Sequence, residues 1–434
     1  MPHPNDLERR FFKLAILNIL ANVTVPLAGL VDTAMLGHLA DIRFLAGVAL
    51  ASVIFDYVYW TFGFLRMSTT GTTAQALGRG DRDEVHRTLF RSLAFALGLG
   101  VVVLVFRGPL EEAGFALLSG EPGVEAAGRD YFDARIWGAP AALCSFVLLG
   151  WFLGRGESRY VLLMTVVANL SNVFFNYVFI IRLQLAARGA GLATMVSQYV
   201  MVAVAAGLFY LDRTETSWRW KEVFDRQKLI ALVRLNTDIL VRTLCLVSAF
   251  AVFTNFSSQL GVLLLAANSV LMRLFSLAAY VIDGAAFASE SLAGILLGRG
   301  DRAGLRRLFR LSLLSGAGFI VVFLIGLAAA REPVLAVLTS HGDLIEQTLI
   351  YMPWLVPVLF FGALAFMYDG LFLGLTEGRL LRNAMLLSLL VGFLPVAWIA
   401  AHEGNNHVLW ASMALFMIAR TATLWIAARK RLAA

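Results

Sequence analysis

Apolar residues fall in long unbroken runs along this chain, and polar residues collect in the short gaps between them. The runs are about 20 residues or longer, enough to cross ~30 Å of hydrocarbon as a helix, and they lack the period-two alternation of a membrane strand. Only helices and closed barrels leave no backbone group unpaired in lipid, so the pattern predicts helices. Twelve are expected, over 11–36, 44–77, 88–106, 131–153, 160–181, 190–211, 229–256, 262–297, 308–330, 348–374, 380–401 and 407–428. The second and eighth exceed one span and should tilt or protrude. The first follows the polar stretch MPHPNDLERR. It is too long for a cleaved signal segment and no small-residue cleavage site follows it, so it reads as a retained membrane helix.

Two charged motifs recur at one offset. Gly78-Arg79-Gly80-Asp81-Arg82 returns as Gly298-Arg299-Gly300-Asp301-Arg302, 220 residues later, and a Phe-Arg pair follows each copy (Phe90-Arg91, Phe309-Arg310). The same offset carries Leu153-Gly154, Glu157 and Arg159 onto Leu373-Gly374, Glu377 and Arg379. Helices 1–6 and 7–12 therefore read as two copies of one unit. Six is even, so both copies insert the same way, as parallel repeats with substrate sites between or within the halves. The expected organisation is an N-terminal lobe of 1–211, a linker of 212–228 and a C-terminal lobe of 229–434. With Trp218, Trp220 and several basic residues, the linker reads as an amphipathic segment at the membrane surface, or as a plain connection.

Charge sets the orientation. The termini and the gaps after even-numbered helices hold 25 Lys and Arg, and the other gaps hold 6. By the positive-inside rule both termini are cytoplasmic, and the chain is a multi-pass protein of the plasma (inner) membrane. Composition agrees. Hydrophobic residues make up 59% and charged residues 15%, against roughly 45–50% and about 25% in soluble domains. That excludes a soluble enzyme, a nucleic-acid binder and a disordered scaffold. The net charge of +7 sits in cytoplasmic gaps and does not call for nucleic acid. Cys144 and Cys245 lie inside apolar runs, so no disulfide framework is expected.

Motifs for other chemistry are absent. None of the four lysines follows a glycine, so there is no P-loop. His402 and His407 are five apart, whereas a zinc helix needs i, i+4. Asp81 to Glu84 is interleaved with arginine and reads as a solvated loop. No metal site, no cofactor and no enzymatic constellation is expected.

Charge inside a span is the remaining signal, because an ionisable group there is costly and marks function by default. The carboxylates are Asp32, Asp56, Asp238, Asp283, Glu290 and Asp369, with Arg66, Arg242, Arg273 and Arg420 as partners. Asp32 is the strongest. Asn172 and Asn176 share a face of helix 5 at i, i+4, with Asn169 a turn deeper, and Thr194 lies about five residues into helix 6. At ~1.5 Å per residue, Asp32, Asn176 and Thr194 fall at one depth near the outer surface. A carboxylate, two amides and a hydroxyl there suit a proton or a small cation. Interhelical glue is the structural alternative. The 220 offset takes Asp32 to Val252, Asn172 to Gly392 and Thr194 to Ala414, so the cluster belongs to the first half alone. Asp238 and Arg242 at i, i+4 are expected to form a structural pair. Asp283 and Asp369, each before a glycine, are secondary candidates, as is Arg66; Glu290 has no assigned role.

At these residues the chain resembles the multidrug and toxic compound extrusion (MATE) transporters, specifically the DinF branch. The likeness rests on Pro26 to Ala34 with Gly37-His38-Leu39, Phe64 to Gly71 with Ala74-Gln75-Ala76, and Asn169 to Asn176. It continues through Gly191 to Thr194, Ala267 to Met272, Asp283-Gly284, and Asp369 to Gly374 with Arg382-Asn383. The resemblance implies two six-helix lobes in a V, and export of amphipathic or cationic organic compounds against inward H⁺ or Na⁺. It places the family's first-helix aspartate on Asp32 and its polar partners on Asn172, Asn176 and Thr194. Two departures stand out. Many relatives have aspartate where Asn176 stands, and many have a proline near the start of helix 1, where this chain has Leu17. The expectation is a monomeric, proton-coupled multidrug antiporter in the lipid bilayer. The alternative is a flippase for a lipid or lipid-linked sugar, which would need a basic central cavity.

Overall fold

The computed structural model describes residues 4–39, 41–118, 120–211, 220–339 and 341–433. All regular structure among them is helical. The chain opens with α1 (Pro4–Gly37), α2 (Ile42–Thr61), α3 (Phe64–Gly78), α4 (Arg82–Val105), α5 (Arg107–Leu117) and α6 (Pro122–Arg135). It continues with α7 (Ala139–Gly154), α8 (Ser158–Asn176), α9 (Ala186–Leu211) and the short α10 (Trp220–Val223). Then come α11 (Arg226–Gln259), α12 (Val262–Gly298), α13 (Arg302–Ala329), α14 (Arg331–Leu338) and α15 (Gly342–Tyr351). The chain ends with α16 (Leu355–Gly374), α17 (Gly378–Leu387), α18 (Leu394–Glu403) and α19 (Asn406–Ala433).

Twelve helical segments among the described residues are long and apolar enough to cross a membrane, and they coincide with the twelve predicted runs. Five are broken internally. α2 and α3 form one segment, as do α6 with α7, α10 with α11, α15 with α16, and α17 with α18. The breaks have local causes. Pro140 and Pro353 each follow or sit in a 3₁₀ turn, where a residue without an N–H is tolerated. Several helices reach beyond their apolar run. α6 begins at Pro122, ahead of its apolar run; along it Arg129 pairs with Glu125 (2.7 Å) and Glu111 (2.9 Å), while Tyr131 and Phe132 are buried. At α2 the side chain of Asp41 caps the helix by accepting from Arg43 N–H at 2.9 Å. The Arg43 side chain, and then its backbone N–H, hold that carboxyl below the ordinary carboxylate range.

The chain divides into two compact units, Leu20–Leu232 and Met1–Ile19 with Val233–Ala434, called here the N-terminal and C-terminal units. The early turns of α1 thus pack in the C-terminal unit. Asn18 Nδ2 donates to Gly284 O (3.3 Å), and a Cβ on Gly284 would meet the Ile19 backbone at 2.6 Å.

The 220-residue repeat is written into the packing. Gly80 and Gly300 both take positive φ (77° and 71°), and the aspartate after each caps the next helix: Asp81 accepts from Glu84 N (2.9 Å), Asp301 from Gly304 N (2.7 Å). α7 crosses α3 where Gly150 and Gly154 face the backbones of Arg66 and Thr70. α16 crosses α12 where Gly370 and Gly374 face the backbones of Ala286 and Glu290, the same four positions 220 residues on. A Cβ on Gly370 would lie 2.5 Å from Ala286 O, and one on Gly154 would lie 2.6 Å from Thr70 O. The repeat differs at one turn. Gly156 has φ 72°, whereas its counterpart Thr376 is held at φ 56°.

Of the expected linker, 212–219, Trp218 included, lies outside the described residues. The rest docks on α4: Arg87 pairs with Glu222 (2.8 Å), Arg91 Nε donates to Val223 O (2.8 Å), and the Trp220 and Phe90 rings stand 5.3 Å apart.

A candidate ion-coupling site in the N-terminal unit

Asp32 stands near the end of α1, and Asn176 is the last residue of α8. Asn176 Nδ2 donates to Asp32 Oδ1 at 2.5 Å. Asn172, one turn earlier on the same face, presents its amide to the same oxygen; with nitrogen turned toward the carboxylate it donates at 2.8 Å. Asn172 also lies against Thr194 Oγ1 of α9, 3.4 Å away. Both asparagines are buried and Asp32 is half-buried. The four residues nominated from depth alone therefore meet, because α8 and α9 pack along their length and present them to one side of α1. Asn169 stitches α8 to α1 at a second level by donating to Thr24 Oγ1 (2.9 Å), eight residues before Asp32.

The backbone beside the cluster is irregular. A π-helical turn spans Tyr177–Arg182, and Leu183 N–H reaches back five residues to Val178 O (2.9 Å). It begins directly after Asn176, and such turns gather at functional sites. α1 runs unbroken through Pro26, which cannot donate to the carbonyl four residues before it.

One charged neighbour was not anticipated. Arg135, at the end of α6, is an electrostatic neighbour of both Asp32 and Asp56. Its guanidinium carbon lies 4.3 Å from the Phe55 ring centre, and Nη1 donates to Tyr131 OH at 2.7 Å. The sequence signal was available: Arg135 is an arginine inside an apolar run with no loop to hold it. Depth arithmetic did not single it out because it lies at the run's edge.

The remaining candidates stand elsewhere. Arg66 is on α3 at the crossing with α7. Asp369, Arg242 and Arg420 form a buried cluster in the C-terminal unit. Asp369 Oδ2 accepts from Arg420 Nη2 at 2.6 Å and from Arg242 Nη2, and all three residues are at most 5% exposed. Asp283 is an electrostatic neighbour of Arg420, whose guanidinium also lies 5.0 Å from the Phe366 ring centre. Glu290 is fully buried in α12. The expected Asp238–Arg242 pair is not what forms. Asp238 binds Arg382 of α17 (2.6 Å), and Arg242 turns to Asp369 of α16. The two share a face of α11, but the neighbouring helices offer each an opposite charge.

The MatE family profile matches residues 18–178 and 239–429 of this chain. The chain is 32% identical over 432 residues to DNA damage-inducible protein F of Escherichia coli, covering 96% of this chain and 91% of that protein. It is 25% identical to multidrug and toxin extrusion protein 1 of Homo sapiens, covering 84% and 64%. Among solved structures it superposes on an outward-facing multidrug resistance MATE family transporter with a TM-score of 0.88, at 18% identity and covering 98% and 96% of the two chains. A MOP superfamily transporter from Pyrococcus furiosus gives a TM-score of 0.89 at 18% identity with the same coverage.

Proposed function

The chain belongs to the MatE family of transporters, and we propose that it exports amphipathic or cationic organic compounds by antiport against protons, with Asp32 carrying the proton. The observation that carries this reading is the donor set around Asp32. The carboxylate meets the amide nitrogens of Asn176 and Asn172. A hard cation such as Na⁺ seeks oxygen ligands, whereas N–H groups serve a bare carboxylate. The fixed positive charge of Arg135 repels a second cation in the same space.

Proton binding then acts on the packing. An ionised Asp32 accepts charge-assisted bonds worth roughly 1.5–3 kcal/mol each, and these tie α1 to α8. A proton on Oδ1 removes the charge and occupies the lone pair that Asn176 uses. The Asn176 amide must turn to present its oxygen as the new acceptor, and the tie between the helices is remade. A two-state tie of this kind lets one proton bias an alternating-access cycle. The protein works as a monomer in the plasma (inner) membrane with both termini cytoplasmic. A flippase would need several basic groups converging on a phosphate, and the paired arginines Arg242 and Arg420 are both engaged by Asp369, which leaves Arg273 as a single guanidinium on its cavity wall.

The test is ethidium efflux from proteoliposomes, wild type against Asp32→Asn, with a pH gradient or a Na⁺ gradient imposed separately. Efflux driven by the pH gradient and abolished by Asp32→Asn is expected. Efflux driven by the Na⁺ gradient alone would overturn proton coupling. Folded wild type that moves no dye under either gradient would leave the flippase as the better account.

A further inference from the structure

A cavity of about 250 Å³ opens in the C-terminal unit between α11 and the first half of α12, and Arg273 lies on its wall. Arg273 is eleven residues into α12, about 16 Å from the helix start at ~1.5 Å per residue. That is half of a ~30 Å hydrocarbon layer. The side chain is exposed, and among the described residues it has no ion-pair or hydrogen-bond partner. A guanidinium at that depth needs a water-filled cavity or an anion.

The walls identify what it faces. The hydroxyls of Thr254, Ser257, Ser269 and Ser276 each donate to a carbonyl of their own helix at 2.7–3.0 Å. Asn268 spends its amide hydrogens on Ser257 and Asn406, both at 2.8 Å. The polar walls thus have no free side-chain donor, and the guanidinium, with five N–H groups, is the donor set that remains. Phe253, Leu265 and Met272 complete the lining with apolar surface. The space is below the ~300 Å³ of a drug-sized pocket, so it suits a compact body.

We propose that this cavity is a subsite for small organic acids, in which Arg273 holds a sulfonate, carboxylate or phosphate group and the apolar wall holds the ring or chain. The cargo class then extends from cations to acidic amphiphiles. This rests on the reading of the chain as an exporter of organic compounds. A cationic ligand is disfavoured here by the guanidinium itself.

The test uses two bicyclic probes of similar shape and opposite charge, naphthalene-2-sulfonate and N-methylquinolinium. Their binding to the purified full-length chain in detergent is measured by equilibrium dialysis. Wild type should bind the sulfonate saturably. Arg273→Gln should weaken that binding at least tenfold, Arg273→Lys should recover part of it, and neither should weaken quinolinium binding. Thermal unfolding midpoints equal to wild type establish that the variants are folded. No saturable sulfonate binding to wild type, or an unchanged Kd in folded Arg273→Gln, overturns the proposal. Wild type that binds the sulfonate saturably but moves no dye under either gradient refutes the transport reading and leaves the subsite standing.

Discussion

Neutralising Asp369 should cost this protein more stability than any other single charge change in its C-terminal unit. Arg242 and Arg420 both bond to one carboxylate oxygen, and the three residues are at most 5% exposed. Asp283 contributes a further negative charge near Arg420, so the four groups sum to zero. Asp369→Asn keeps the shape and one acceptor oxygen but leaves the cluster one positive charge in excess. Breaking a buried ion pair by removing one partner costs ~3–5 kcal/mol. The retained acceptor and Asp283 place the expectation at the low end, about 3 kcal/mol, or roughly a hundredfold in the folding equilibrium. The assay is unfolding in mixed micelles titrated with dodecyl sulfate, followed by tryptophan fluorescence. A second variant isolates charge from packing. Asp369→Asn with Arg242→Met restores neutrality, and replacing buried ion pairs by apolar groups is often neutral or stabilising. The double variant should regain most of the loss. If Asp369→Asn unfolds with the wild type, or the double variant is no better than the single, the cluster is not held by charge balance.

Two further outcomes follow from backbone geometry. Gly370→Ala drives a Cβ to 2.5 Å from Ala286 O at the α12–α16 crossing, an overpacking worth about 1–3 kcal/mol. Gly318→Ala in α13, with open space around it, should be neutral or stabilising by up to ~1 kcal/mol; the two unfolding curves, recorded side by side, decide. Thr376→Gly should stabilise the protein by about 0.5–1 kcal/mol. The native φ of 56° costs an L-residue ~1–2 kcal/mol, and glycine gives part of that gain back as chain entropy; a lower unfolding midpoint would refute the strain.

Much of this protein is decided locally along the chain. An apolar run long enough to cross the bilayer has one outcome in lipid, because its backbone groups must bond within the segment. The twelve spans and the repeat of Gly80 and Gly300 were therefore legible without any structure. So was the depth of Asp32, Asn172, Asn176 and Thr194, since the helical rise is constant. Rotation about each helix axis and the choice of neighbour were not legible. They depend on which side chains a second helix presents, often more than a hundred residues away. That is why Asp238 and Arg242, adjacent on one face, part company for Arg382 and Asp369. It is also why Arg135, set at the edge of a run, ends beside Asp32 and Asp56. The chain sets how deep each charged group lies; only the packed helices decide which opposite charge it meets, because a buried charge takes the nearest partner in space whatever its place in the sequence.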